Sequence, residues 1–273
     1  MLAYVNQGAA MPLKVTFDSN AWRVVADPKK HQKDPLLPIY EKIRSAVCAN
    51  AIAPFLSETV FTLEGIWRKN RRFFFGNYEA EMSFKQIAKP DGSEQLTFIL
   101  GPNLSAHPGN DKVHQEYLDE ALKIGFKIMM DLRIAMITNP DLRPEYFADY
   151  PGSDISAYVE KLSEVDRKMH MNRCGIWHIQ SIGEAFAKPG ENWLDGLDNA
   201  DASLDGPISK AIAEWADGDT IAAHIAFKND FVLTNDQAKS GGADSVFARK
   251  NLKWLRNDYG LELISQAELA AKL

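Results

Sequence analysis

Cysteine is nearly absent from this chain of 273 residues: Cys48 and Cys174 stand far apart and belong to no Cys-x-x-Cys spacing. That scarcity argues against a thiolate zinc site, and both thiols are expected to be buried and free. Long apolar runs are missing too. No stretch approaches the ~20 residues that cross a bilayer, and the first residues lack the charged-then-apolar order of a secretory leader. The expectation is a cytoplasmic protein with no membrane partner. Positive charge is also in short supply, with 31 Lys and Arg against 37 Asp and Glu and a net charge of −6. Charge alone therefore draws in no nucleic acid, and contact with a polyanion needs a local basic patch or a bound cation. Nucleophile elbow, phosphate-binding loop and dinucleotide fingerprint are all lacking. Serine hydrolase, nucleoside triphosphatase and dinucleotide chemistry thus have no signature here.

What is present is an ordinary globular composition, 45% hydrophobic and 25% charged with six tryptophans, enough for a substantial core in one large domain or two small ones. Residues 1–12 show no period and are set aside as an N-terminal extension. Lys14 to Phe17 then forms a strand-like run that ends at Asp18-Ser19-Asn20, and the same order recurs where Phe231, Val232 and Leu233 lead to Thr234-Asn235-Asp236. Between them, Pro38–Val47 has helical spacing, Ala51–Leu56 reads as a buried strand, and Ser57 caps a helix with the inward row Val60, Leu63, Glu64 and Trp67. A carboxylate on an apolar row is costly unless paired or coordinated, which singles out Glu64. Glu58, in the first turn, already suits the helix dipole. Arg68, Lys69, Arg71 and Arg72 form the one dense basic run, either a phosphate grip or a solvated helix end.

From residue 73 to 206 the strand-helix rhythm lapses. Tyr78, Ala80, Met82 and Phe84 alternate with polar residues, Lys89-Pro90-Asp91-Gly92 supplies a turn, and Leu96–Leu100 returns as the second strand of a β-hairpin. Helices are expected from Asp111 through Leu132, over Ile155–Val165 and over Ile176–Phe186. His170 and His178 lack acidic partners at ligand spacing and read as packing or surface residues. Pro207 opens a helix carrying Ile208, Ala211, Ile212 and Trp215. Asp219 stands as the N-cap of a further helix, Ile221–Ala226, which Asn229 stops. Ser240-Gly241-Gly242 is a loop, Leu252 and Leu255 mark a helix, Leu261–Ile264 a strand, and Ser265 with Glu268 a capping box.

Acids thus recur at element ends: Asp18, Glu64, Asp219 and Asp236. In an open parallel sheet, ligands bind beyond the carboxyl ends of the strands. Carboxylates ~4 Å apart repel by about 4 kcal/mol at an effective dielectric of 20, so such a cluster protonates or holds a cation. All-oxygen ligands suit Mg²⁺ or Mn²⁺, which activate water and neutralise charge on a phosphate. Read blandly, the same acids are helix caps and turn residues.

Phe17-Asp18-Ser19-Asn20, the segment Ser57-Glu-Thr-Val-Phe-Thr-Leu-Glu-Gly65, Asp219-Thr-Ile-Ala-Ala-His224 and Leu233-Thr-Asn-Asp236 resemble the motifs of the PIN-domain nucleases. The resemblance implies a three-layer α/β/α fold with a central parallel sheet, built from residues 13–72 and 207–273, with 73–206 as an inserted β-hairpin and helices. It also implies hydrolysis of phosphodiester bonds, usually in RNA, with Asp18, Glu64, Asp219 and Asp236 as catalytic ligands of Mg²⁺ or Mn²⁺ and Glu58 as the alternative to Glu64. Ser19, Asn20, Thr234 and Asn235 are the expected positioners of water or substrate, with Arg68, Arg71 and Arg72 as the phosphate grip. A DNA-directed nuclease of the same fold and a non-catalytic interaction module are the alternatives. A protein partner on the insertion and a homo-oligomer are both left open.

Overall fold

The computed structural model describes residues 11–89, 92–101, 103, 105–131, 137–152, 154–235, 242 and 244–273. The expected extension therefore lies outside the described residues except for Met11 and Pro12, as do Asp236, Ser240 and Gly241. Along the chain run β1 (Leu13–Phe17), α1 (Ser19–Ala26), α2 (Leu37–Cys48), β2 (Ile52–Ser57), α3 (Thr59–Thr62), α4 (Arg71–Gly76), β3 (Glu81–Ala88), β4 (Glu94–Gly101), α5 (Lys112–Lys123) and β5 (Lys127–Met129). They are followed by α6 (Ile155–Met171), α7 (Trp177–Phe186), α8 (Trp193–Asn199), α9 (Asp205–Phe227), β6 (Phe231–Leu233), α10 (Arg249–Tyr259), β7 (Leu263–Ile264) and α11 (Gln266–Lys272).

Five strands form one sheet in the order β5-β2-β1-β6-β7, and every pairing in it is parallel. Alternation along β1 explains its two faces. Val15 and Phe17 point into a core with Trp22, Ile43, Leu118 and Leu269. Thr16 points the other way, its hydroxyl 2.9 Å from His224 Nδ1 on α9. Val232 continues that second face, packed with Tyr158, Ile221 and Leu255. Helices thus cover both faces, as a parallel sheet requires. A third apolar cluster joins Leu63, Phe75, Ile179, Leu197, Ile212 and Trp215. Among the described residues no helix is long and apolar enough to cross a membrane.

The hairpin forms as expected, β3 against β4 with Phe84 opposite Phe98. Other expectations are corrected. The range 73–206 also contributes β5 to the central sheet, so it is more than an appendage. The helix expected from Asp111 through Leu132 stops at Lys123, because Gly125 turns the chain at φ +108, and Ile128 and Met129 then enter β5. Ser57 closes β2 and α3 is a single turn, which leaves Glu64 in the bend beyond it and Trp67 59% exposed. Asp219 is no N-cap, for α9 runs unbroken through Gly218. Local signals pointed to a break there, whereas Gly218 serves packing: a Cβ on it would meet Gly175 Cα at 2.9 Å. Lys228, one residue before Asn229, takes the left-handed stop at φ 54. Cys174 is buried but Cys48 is exposed.

Candidate active site

β1 delivers Asp18 to the carboxyl edge of the sheet, where it also serves as the N-cap of α1. The cap geometry explains why a short acid stands there, since its side chain satisfies a first-turn N–H. Its Oδ1 accepts the Ser19 N–H at 2.6 Å. Its Oδ2 accepts Asn20 Nδ2 at 2.7 Å and the Thr234 hydroxyl at 2.5 Å. Asn20 Oδ1 in turn accepts the Asn235 N–H at 2.9 Å. Two strand ends more than 200 residues apart in sequence are thereby tied into one polar cluster, and β6 is positioned beside β1 by their ladder. Ser19, Asn20, Thr234 and Asn235 thus cluster around Asp18.

Glu64 faces the same place. It lines a cavity of about 390 Å³ with Ser19, Asn20, Arg23, Arg71 and Asp217. Burial, reinforced by the negative charge of Asp18, pushes its carboxyl up to about 7, against the pull of Arg23 and Arg71. Gly65 lets this bend approach closely: a Cβ there would meet Asn110 Oδ1 at 2.3 Å. Glu58, the alternative, is buried elsewhere, accepting the Asp131 N–H at 2.9 Å. Of the two glutamates, Glu64 is the one that lines the cavity with Ser19 and Asn20 and feels the charge of Asp18.

The basic run divides. Arg71 lines the cavity while its Nε donates to the Ile66 carbonyl at 3.1 Å. Arg68 lines it from an exposed position. Arg72 is bound to Asp205 at 2.5 Å and to the Ala200 carbonyl at 3.0 Å, so its charge holds α4 to the start of α9. Asp219 is also placed apart: it lines a cavity of about 520 Å³ with Asp131, Tyr78, Trp193 and Trp215. Asp217, two residues earlier, lines the Glu64 cavity instead, as the ~200° between such helical positions requires.

Sequence reasoning passed over Arg23, His114 and Asp217. Arg23 Nη2 donates to His114 Nδ1 at 2.9 Å, and His114 Nε2 lies 2.7 Å from the Val60 carbonyl. These partners require a neutral ring protonated at Nε2. Burial and then Arg23 push its pKa down to about 4. His114 thus aims Arg23 into the cavity; no local motif marks a pairing across 91 residues.

Asp18 and Glu64 offer carboxylate oxygens flanked by amide and hydroxyl groups, the donor chemistry of a hard divalent ion. Among the described residues no three His, Cys, Asp or Glu side chains come close enough to hold one. A pair of carboxylates fits such an ion when water completes the shell. Comparison of the chain with protein-family models, with curated proteins and with solved structures gives no match, so the chemistry of the site rests on its own geometry.

Proposed function

We propose that the chain is a metal-dependent nuclease that hydrolyses phosphodiester bonds in RNA. The observation that carries this is the Asp18–Glu64 pair at the carboxyl edge of a parallel sheet, with the Glu64 carboxyl raised to about 7 and Arg23 and Arg71 beside it. Acidic oxygens and guanidinium groups in one cavity suit a phosphodiester, whose charge needs cations and whose hydrolysis needs a positioned water.

In this proposal Asp18 and Glu64 hold Mg²⁺ or Mn²⁺, which supplies positive charge and lowers the pKa of water when bound. Asp236 belongs to the proposed ligand set by its sequence motif. Asp219 enters through its motif alone, since its carboxylate lines the neighbouring cavity. Asn20 and Thr234 fix the orientation of Asp18, while Arg23, Arg71 and Arg68 receive the phosphate. Arg72, held by Asp205, is left out of the grip.

The test is cleavage of labelled RNA and DNA of matched sequence in Mn²⁺, by wild type and by Asp18→Asn and Glu64→Gln. Wild type is expected to cut RNA, and each variant to lose on the order of 10²-fold or more in rate while keeping its fold by circular dichroism. Folded Asp18→Asn cutting at the wild-type rate would sink the assignment, and preference for DNA would redirect it. The absence of three converging ligands among the described residues favours a second reading, a non-catalytic module. That reading expects no cleavage and no rise in melting temperature with Mn²⁺.

A further inference from the structure

The β3–β4 hairpin is a two-stranded ribbon of which every β3 residue is exposed. Among the described residues β3 and β4 pair only with each other. Isolated two-stranded ribbons are marginal in water, and open strand edges are normally paired, covered or blunted. This one is amphipathic. Phe84 lies opposite Phe98 and Gln86 opposite Leu96, so Met82, Phe84, Leu96 and Phe98 share one face, 74%, 71%, 55% and 71% exposed. Contiguous apolar exposure of this kind marks an interaction surface.

The free edge of β3 states what fits it. Next to the turn, the Lys89 N–H donates to the Ser93 carbonyl at 2.8 Å, which makes Lys89 and Ser93 a hydrogen-bonded pair. Such pairs alternate along an antiparallel ladder. Ser83 and Lys85 therefore point their backbone groups toward β4, and Met82, Phe84 and Gln86 point theirs outward.

The outward run Glu81-Met82-Ser83-Phe84-Lys85 is a charge palindrome about Ser83. Laid antiparallel on a second copy with the two-fold axis at Ser83, it sets Glu81 opposite the partner's Lys85 and Met82 opposite the partner's Phe84. Met82 and Phe84 carry the outward backbone groups, so this register also satisfies the hydrogen bonds. An axis at Phe84 would satisfy the backbone as well, but would set Glu81 against the partner's Ile87.

We infer that the occupant of this edge is a second copy of the same chain, giving a two-fold dimer in which the two ribbons join as one antiparallel sheet, β4-β3-β3-β4. Its apolar face runs unbroken across the axis, with Met82 against the partner's Phe84, a favourable sulfur–aromatic contact. Isologous pairing of this kind closes at two copies and leaves no β3 edge for a third.

Sedimentation velocity over a micromolar concentration series tests it on the full chain. Wild type is expected to be dimeric. Glu81→Lys and Lys85→Glu, each placing like charges opposite one another twice, are expected to weaken the dimer about tenfold or more. The double variant Glu81→Lys/Lys85→Glu restores opposite charges and is expected to restore the dimer. Ser83→Cys in a Cys48→Ser background reports register independently: at the axis the two residues form a non-hydrogen-bonded pair with Cα atoms ~4.5 Å apart, within disulfide reach. It is expected to give a covalent dimer on oxidation, while Thr97→Cys on β4 gives none. A monomeric wild type, or a dimer indifferent to both single reversals, overturns the proposal.

Discussion

Glu64 shows how a single carboxyl can report on its site. In the unfolded chain it loses its proton near its ordinary value of 4.5, and in the folded chain near 7. Between those values the folded chain holds the extra proton, so the stability that this group confers is present below 4.5 and is lost as pH rises through 7. Glu64→Gln removes the effect. Relative to that variant, wild type is expected to lose about 3 kcal/mol between pH 4.5 and 8, read by urea denaturation at several pH values. A parallel pair of curves would show that Glu64 is not held in its raised state. If Asp18 and Glu64 bind a divalent ion, the ion competes with that proton. The Mn²⁺-induced rise in melting temperature is then expected to be larger at pH 8 than at pH 5.5 and to vanish in Asp18→Asn.

At the scale of elements, glycines set the distances between helices. α7 and α8 touch backbone to backbone: a Cβ on Gly183 would meet the Trp193 carbonyl at 2.0 Å, and one on Gly196 the Gly183 carbonyl at 1.9 Å. Neither obstacle is a side chain that can swing away. Gly196→Ala is expected to destabilise by about 1–3 kcal/mol in urea denaturation. Gly206, in the first turn of α9, has nothing within 4 Å of where a Cβ would stand, and Gly206→Ala is expected to be neutral or to stabilise by up to about 1 kcal/mol. Equal effects at the two positions would refute the packing account. These contacts also explain what the sequence concealed. β1, β2 and β6 were legible as short apolar runs, and the hairpin by its alternation and turn residues, because these signals are local. α9 was not: Gly218 before Asp219 looks like a helix boundary, and its reason for being glycine is Gly175 on another segment. The Asp18 cluster was half legible. Each strand-end motif announces an acid or amide, but Arg23 and His114 meet only through the fold.

Across the whole molecule, two neutral histidines link stability to pH in the sense opposite to Glu64. His224 lies buried under the sheet with Nδ1 2.9 Å from the Thr16 hydroxyl, and that hydroxyl accepts Asn229 Nδ2 at 2.9 Å. The Thr16 hydroxyl also lies 3.9 Å from Met129 Sδ, so it can either donate to Nδ1 or accept from it, and in both arrangements the buried ring is neutral. Burial pushes its pKa down to about 3, as burial and Arg23 push His114 down to about 4. In the unfolded chain both rings take up a proton near 6.5. The stability they confer is full above that value and is lost progressively as pH falls toward the folded values. Each group changes stability by about 1.4 kcal/mol per pH unit in its window. Between pH 4.5 and 6.5 the two histidines outweigh Glu64, so their sum with it rises with pH. His224→Asn keeps a hydrogen-bond partner for Thr16, whichever of the two donates, and removes the titration. The variant is expected to be less stable at pH 7, because a cavity replaces part of the ring. Its further loss between pH 7 and 5 is expected to be about 2 kcal/mol smaller than that of wild type. Measured by urea denaturation at both pH values, an equal loss in the two proteins would place the acid sensitivity of this fold somewhere other than beneath β1.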